Sequence, residues 1–168
     1  MANVKKLLLC ALLLLPMAAY AFSQQDAPTM TPDNLPLPKA VEGATPWQLF
    51  AATKEKQKKV TFPDGSYSFD VSPGFSDNMR ALGGTEITLH GFMFPLEQSD
   101  KQSTFLFGPY PPSCPFHYHV GPNLVVEVHM KKPIAFAWDE VRLKGTLELL
   151  EKDPNGVFYK LNNAEMVR

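Results

Sequence analysis

One short segment of the chain combines residue types that bind metal ions. Cys114, His117 and His119 fall close together within the proline-rich stretch 109–123. A thiolate and two imidazoles are donors that zinc and copper prefer in proteins. In an extended segment His117 and His119 point to the same side, and Cys114 can join them across a turn led by Pro115. We therefore predict a metal site here, with zinc preferred and copper as the alternative ion.

Three protein donors leave a fourth coordination position, open to water or to another side chain. The candidates are His90, His129 and Glu97, which lie on or just after the polar faces of predicted strands. The sequence alone does not rank these three. A blue-copper centre would also need a weak axial methionine, for which Met93 and Met130 are available. Because no methionine follows closely on the same loop, zinc is the preferred ion.

Other interpretations of the segment stay open. Cys114 can be an ordinary buried thiol beside surface histidines, or a reactive thiol with His117 as its base. The chain has no G-x-S-x-G, no H-E-x-x-H and no Gly-rich phosphate loop, so no enzymatic activity is predicted. The alternative is a different class of function, that of a metal-free interaction module. In that case the stiff loop would dock an envelope partner through Tyr110, Phe116 and Tyr118.

The first residues predict export. Basic residues precede an apolar run at 7–15, Pro16 ends that run, and Ala19 and Ala21 supply the small residues of a signal peptidase site. We expect residues 1–21 to be a signal peptide cleaved after Ala21, which delivers the protein to the periplasm. Cys10 leaves with this segment. Cys114 is then a single cysteine in an oxidising compartment, without a partner for an internal disulfide.

Charge and hydropathy restrict the partners. The chain carries 16 basic and 17 acidic side chains, and this balance does not favour nucleic acid or an anionic membrane surface. No second apolar run reaches the length of a transmembrane helix, so we expect no membrane span after signal cleavage. For a metal-binding protein of the periplasm, the expected partner is an envelope transporter or another metal-handling protein.

Residues 22–45 are rich in proline and polar side chains, and they predict a disordered linker. The remainder, 46–168, predicts a single domain. Thr45 and Pro46 indicate the start of a short helix that carries Trp47 and Phe50 on one face. The lysine-rich run 54–59 is interpreted as the solvated end of this helix.

Beyond the helix the pattern is that of strands. Apolar and polar residues alternate along each segment, and turn residues such as Asp64-Gly65 and Asn155-Gly156 separate them. The predicted segments lie near 67–71, 85–94, 103–107, 124–128, 141–150 and 157–161, with a brief helix near 79–82. About five of these strands follow residue 85. We therefore predict a mainly β fold, a small OB-like Greek-key barrel preceded by a short helix.

Several stretches resemble a family of exported bacterial proteins, domain-of-unknown-function family 3299 (DUF3299). The matching residues are 89–97 (LHGFMFPLE), 105–117 (FLFGPYPPSCPFH), 121–123 (GPN) and 126–128 (VEV). The resemblance implies a small β-barrel of the periplasm or a lipoprotein, without an assigned activity. Many members of that family carry Cys-Pro-Phe-Cys where this chain has Cys114-Pro115-Phe116-His117. Exchange of the second thiol for an imidazole keeps a metal donor, removes the disulfide, and favours metal binding over a redox role.

Overall fold

The structure is a computed structural model that describes residues 36–112 and 120–167. These residues form two short helices, seven strands and a 3-10 turn at Pro122–Leu124. The elements are α1 (Trp47–Ala51), β1 (Lys54–Thr61), β2 (Tyr67–Gly74), α2 (Asp77–Leu82), β3 (Glu86–Pro95), β4 (Lys101–Gly108), β5 (Val126–Ala135), β6 (Val141–Leu149) and β7 (Tyr159–Val167).

Strands β3 to β7 close into a barrel in the order β3-β4-β5-β7-β6. Neighbouring strands are antiparallel except β5 and β7, which are parallel. If the strands are counted from β3, the order is 1-2-3-5-4, which is the Greek-key arrangement of an OB-type barrel. The predicted fold class, a mainly β OB-like barrel with a short helix before it, is confirmed.

The barrel core follows the alternation of each strand. Ile87, Leu89 and Met93 of β3 are buried, as are Val126 and Val128 of β5. Side chains in a strand alternate between the two faces, so apolar residues two positions apart all reach the interior. The alternation predicted for these strands is therefore confirmed.

Closure of the barrel depends on Gly91. At this residue β3 still pairs with Val141 of β6, and at the next, Phe92, it pairs with Gly108 of β4. A Cβ atom at position 91 would lie 2.3 Å from the carbonyl oxygen of Gly108. Only glycine allows the two backbones to approach this closely.

Helix α1 closes one end of the barrel through aromatic contacts. The ring centre of Phe50 lies 4.9 Å from the ring centre of Tyr159, at the start of β7. The Tyr159 hydroxyl donates to the Phe50 carbonyl oxygen at 3.2 Å, and burial raises the pKa of Tyr159 to about 12. Trp47 Nε1 donates to the backbone oxygen of His90 at 2.8 Å. The helix is thus attached to both β3 and β7.

The interpretation of residues 54–59 as the end of a helix is wrong. They belong to β1, which pairs antiparallel with β2 from Lys54↔Gly74 to Thr61↔Tyr67. Nearly every residue of β1 is exposed, so the strand has no apolar face that alternation could have revealed. The turn between β1 and β2 follows the predicted Asp64-Gly65 signal, and Gly65 adopts a positive φ of 85°.

Residues 36–45, the last part of the predicted linker, contact the barrel. The backbone N–H of Thr45 donates to the oxygen of Thr88 at 2.7 Å, and Arg142 Nη2 donates to the oxygen of Glu42 at 3.1 Å. Residues 22–35 lie outside the described residues. Neither helix in the described part of the chain has the length and apolar character needed to span a bilayer.

Candidate functional site

The predicted ligands Cys114, His117 and His119 lie in the connection between β4 and β5, and all three are outside the described residues. The described parts of that connection, 109–112 and 120–125, are attached to the barrel. On the β4 side Pro109 is buried, and Tyr110 packs against the hydrophobic core. Burial raises the pKa of the Tyr110 hydroxyl.

On the β5 side the connection ends in the 3-10 turn Pro122–Leu124. Val120 packs against the core, and Leu124 is buried. Asn123 Nδ2 donates to the backbone oxygen of Ala51 at 3.4 Å, which joins the turn to α1. Both ends of the segment that carries the predicted ligands are therefore fixed by core packing.

The three candidates for a fourth ligand occupy two different places. Glu97 is exposed in the connection between β3 and β4, and its Oε1 accepts from the backbone N–H of Thr104 at 3.1 Å. His129 lies directly opposite Thr104 in the β4–β5 pairing. His90 lies apart from both, opposite Arg142 in the β3–β6 pairing. The structure thus gathers Glu97 and His129 around Thr104 and does not bring His90 to them.

Each of the two histidines has a carboxylate beside it. His129 Nε2 lies 2.6 Å from Glu127 Oε1, and His90 Nε2 lies 3.7 Å from Glu140 Oε2. In residues 36–112 and 120–167, no three His, Cys, Asp or Glu side chains are grouped so that they could hold a metal ion. A site with three such ligands would therefore need at least one donor from outside these described residues.

A row of charges crosses β5 and β7, and no local sequence pattern indicates it. The carboxylate of Glu127 contacts His129 and also lies 3.6 Å from Nζ of Lys160, its partner in the parallel pairing. Lys160 Nζ in turn lies 3.7 Å from Asp153. Glu127 and Asp153 are only 12% and 8% exposed. The lysine therefore compensates two carboxylates that are largely removed from water.

A second feature that the sequence did not reveal is an aromatic groove of about 360 Å³. It lies at the barrel end where the β3–β4 and β5–β6 connections meet. Phe94, Pro95, Gln102, Pro112, Phe136 and Trp138 line it, together with residues 97–100. Pro112 is the last described residue before the segment of the predicted ligands, and the candidate ligand Glu97 lines the same groove.

The strand order and the closed barrel define the protein as an OB-type barrel with an aromatic groove and a long β4–β5 connection. Residues 45–166 match the family described as protein of unknown function (DUF3299), and the chain belongs to this family. A crystal structure of a DUF3299 family protein from Pseudomonas aeruginosa PAO1 is 22% identical in sequence, with a TM-score of 0.45. That match covers 57% of this chain and 68% of the other. The search of curated proteins returned no match.

Proposed function

We propose that the protein is a periplasmic metal-binding protein that acts as a carrier or accessory factor in envelope metal homeostasis. Its ligands are Cys114, His117 and His119, and its ion is zinc in preference to copper. A signal peptide that is cleaved after Ala21 directs its export. The partner is an envelope transporter or another metal-handling protein.

The proposal rests on the place of the donor-rich segment 113–119 in the chain. The described residues before and after it are fixed by packing against the hydrophobic core. Tyr110 and Val120 both pack against the hydrophobic core, and only a few residues separate them from the predicted ligands. Fixed ends and several prolines reduce the conformational entropy that the segment loses when it closes around an ion. A thiolate with two imidazoles in so short a segment is a donor set for zinc.

The fourth ligand is better supplied from the side of Thr104 than from His90. His129 has a carboxylate 2.6 Å from Nε2, which leaves Nδ1 for a metal ion. Metal-binding histidines generally have such a carboxylate on the second ring nitrogen. Glu97 is the other candidate there, since its carboxylate is exposed and accepts one backbone hydrogen bond.

The metal-free interaction module has less support. Of its three docking aromatics, Tyr110 packs against the core and is partly buried. Its ring therefore supports the connection between β4 and β5 and offers little surface to a partner. The docking surface would be reduced to Phe116 and Tyr118.

The test is the metal content of protein purified from periplasmic extract. We expect Phe22 as the first residue of the mature chain, and about one equivalent of zinc by mass spectrometry. Cys114→Ser and His117→Gln should each reduce zinc content severalfold or more. In the cobalt-loaded protein, a thiolate charge-transfer band should be present and should vanish in Cys114→Ser.

His90→Gln makes the same substitution at the candidate that lies in the β3–β6 pairing, and it should keep full zinc content if the fourth ligand comes from the side of Thr104. His129→Gln and Glu97→Gln identify the fourth ligand, because only the true ligand changes the cobalt spectrum. A zinc content near zero that is unchanged by Cys114→Ser would refute the proposal.

A further inference from the structure

The β1–β2 hairpin forms a sheet of its own, separate from the barrel, and it carries exposed aromatic rings. Tyr67 and Phe69 of β2 are 59% and 55% exposed, and their ring centres lie 5.8 Å apart. Lys59 Nζ lies 4.1 Å from the centre of the Tyr67 ring. A two-stranded sheet without an apolar interior has little stability of its own in water. The regular pairing along the whole hairpin therefore favours a partner that covers it.

The backbone groups at the outer edge of β2 belong to the same residues. The Phe62 N–H donates to the Ser66 oxygen at 2.8 Å, which makes these two residues a hydrogen-bonded pair of the ladder. Hydrogen-bonded and non-hydrogen-bonded pairs alternate along an antiparallel ladder. With the observed register, the N–H and C=O groups of Tyr67, Phe69 and Val71 therefore point away from β1. Within residues 36–112 and 120–167, no strand other than β1 pairs with β2.

The two edges of the hairpin differ in charge. Strand β1 carries Lys54, Lys56, Lys58 and Lys59, and none of them forms an ion pair with a described residue. Lysines on an edge strand oppose the addition of another strand. The charged side chain of β2 is Asp70, whose carboxylate lies 3.7 Å from Lys152 Nζ. Strand β2 is therefore the edge that can accept a further strand.

A second copy of β2 fits this edge in the antiparallel direction. When Phe69 lies opposite Phe69 of the second copy, Tyr67 lies opposite Val71, and every outward-pointing N–H and C=O group meets a partner. These side chains lie on one face of the sheet, so the aromatic and apolar groups of the two copies contact each other. Asp70 lies opposite Ser68, and no like charges meet.

We propose that β2 pairs antiparallel with β2 of a second copy of this chain, which joins two chains into a dimer through a four-stranded sheet. The two copies are related by a two-fold axis at Phe69, so each uses the same surface. The lysines of β1 then lie on both outer edges, where they end the sheet and prevent growth into a fibre.

The oligomeric state of the purified protein tests the proposal. Sedimentation velocity is measured from about 10 µM to about 500 µM, since a small interface gives weak association. EDTA and a reducing agent are present, so neither a bridging metal ion nor an intermolecular disulfide of Cys114 can join two chains. The outcome is therefore independent of the metal proposal. A dimer should form as the concentration rises. A protein that stays monomeric throughout would overturn the proposal and leave this edge to a peptide of another protein.

Phe69→Pro removes an outward-pointing N–H and an aromatic ring, but no hydrogen bond between β1 and β2. It should weaken dimer formation by roughly tenfold or more, because each copy loses one hydrogen bond to the other. Lys59→Pro is the matched control, since Lys59 lies opposite Phe69 and its N–H points outward at the other edge. This variant should dimerise as the wild type does. Equal weakening in both variants would contradict pairing through β2.

Hydrogen exchange of the wild type gives a test that needs no substitution. In a concentrated sample the backbone amides of Tyr67, Phe69 and Val71 should exchange severalfold more slowly than in a dilute one. The amides of Gln57 and Lys59, which point outward on β1, should exchange equally in both samples. A dimer whose β2 amides exchange as fast as those of the monomer would use another surface, and the proposal would be wrong.

Discussion

Tyr159 should control how the protein responds to alkali. Its side chain is fully buried and donates to the Phe50 carbonyl oxygen, and burial raises its pKa from 10.0 to about 12. In the unfolded chain the same hydroxyl ionises near its ordinary value. Between pH 10 and pH 12 the unfolded state therefore releases a proton that the folded state keeps.

The sign and size of the effect follow from proton linkage. A state that has lost its proton is favoured as pH rises, so the free energy of unfolding should fall above pH 10. A pKa raised from 10.0 to about 12 corresponds to a loss of roughly 3 kcal/mol once pH exceeds both values. Below pH 10 both states are protonated, and this contribution is constant.

Tyr159→Phe isolates this contribution. At pH 8 the variant lacks the buried hydroxyl group, including its hydrogen bond to the Phe50 carbonyl oxygen, and it should be less stable by about 1 kcal/mol. At pH 12 it should be more stable than the wild type by about 1 kcal/mol, since phenylalanine cannot ionise. The two stability curves should cross near pH 11, as measured by urea unfolding at each pH.

Tyr67→Phe is the control, because it makes the same chemical change at a side chain that is 59% exposed. Its stability should follow that of the wild type at every pH. Spectrophotometric titration gives an independent check, since Tyr159→Phe should remove the tyrosine ionisation near pH 12. Stability curves of wild type and Tyr159→Phe that stay parallel from pH 8 to pH 12 would refute the argument.

Two further predictions concern backbone packing and a helix cap. Gly91→Ala should destabilise the barrel by about 2–3 kcal/mol, because the new Cβ would lie 2.3 Å from the Gly108 oxygen and the backbones would have to separate. Ser76→Ala should cost about 1 kcal/mol, because the Ser76 hydroxyl accepts the N–H of Met79 at the start of α2. Urea unfolding measures both changes.

A different result would contradict each of these two predictions. A Gly91→Ala protein as stable as the wild type would mean that β3 and β4 can separate there without loss of pairing. For the cap, Ser76→Thr is the matched variant, since it keeps a hydroxyl and should recover most of the stability. Equal losses in Ser76→Ala and Ser76→Thr would show that the hydrogen bond to Met79 is not the cause.

Local chemistry let the sequence predict the barrel strands. Residues such as Leu89 and Val128 alternate with polar neighbours. Such period-two alternation is the pattern of a β-strand with one buried face. The strand β1 was not predicted, because it lacks this alternation. Its lysines lie on a hairpin exposed on both faces, and only pairing with β2 makes the segment a strand.

For the candidate site, the sequence shows which residue types are available as donors. The tertiary structure determines which residues distant in the chain lie beside one another. The donor types at Cys114, His117 and His119 can be read directly, since they lie within one short segment. No local pattern places Lys160 beside Glu127, because that contact depends on the parallel pairing of β5 with β7. Nor does any local pattern reveal the aromatic groove, whose walls come from connections that meet only when the barrel closes. Contacts between residues distant in the chain are set by strand order and register, and these exist only in the folded protein.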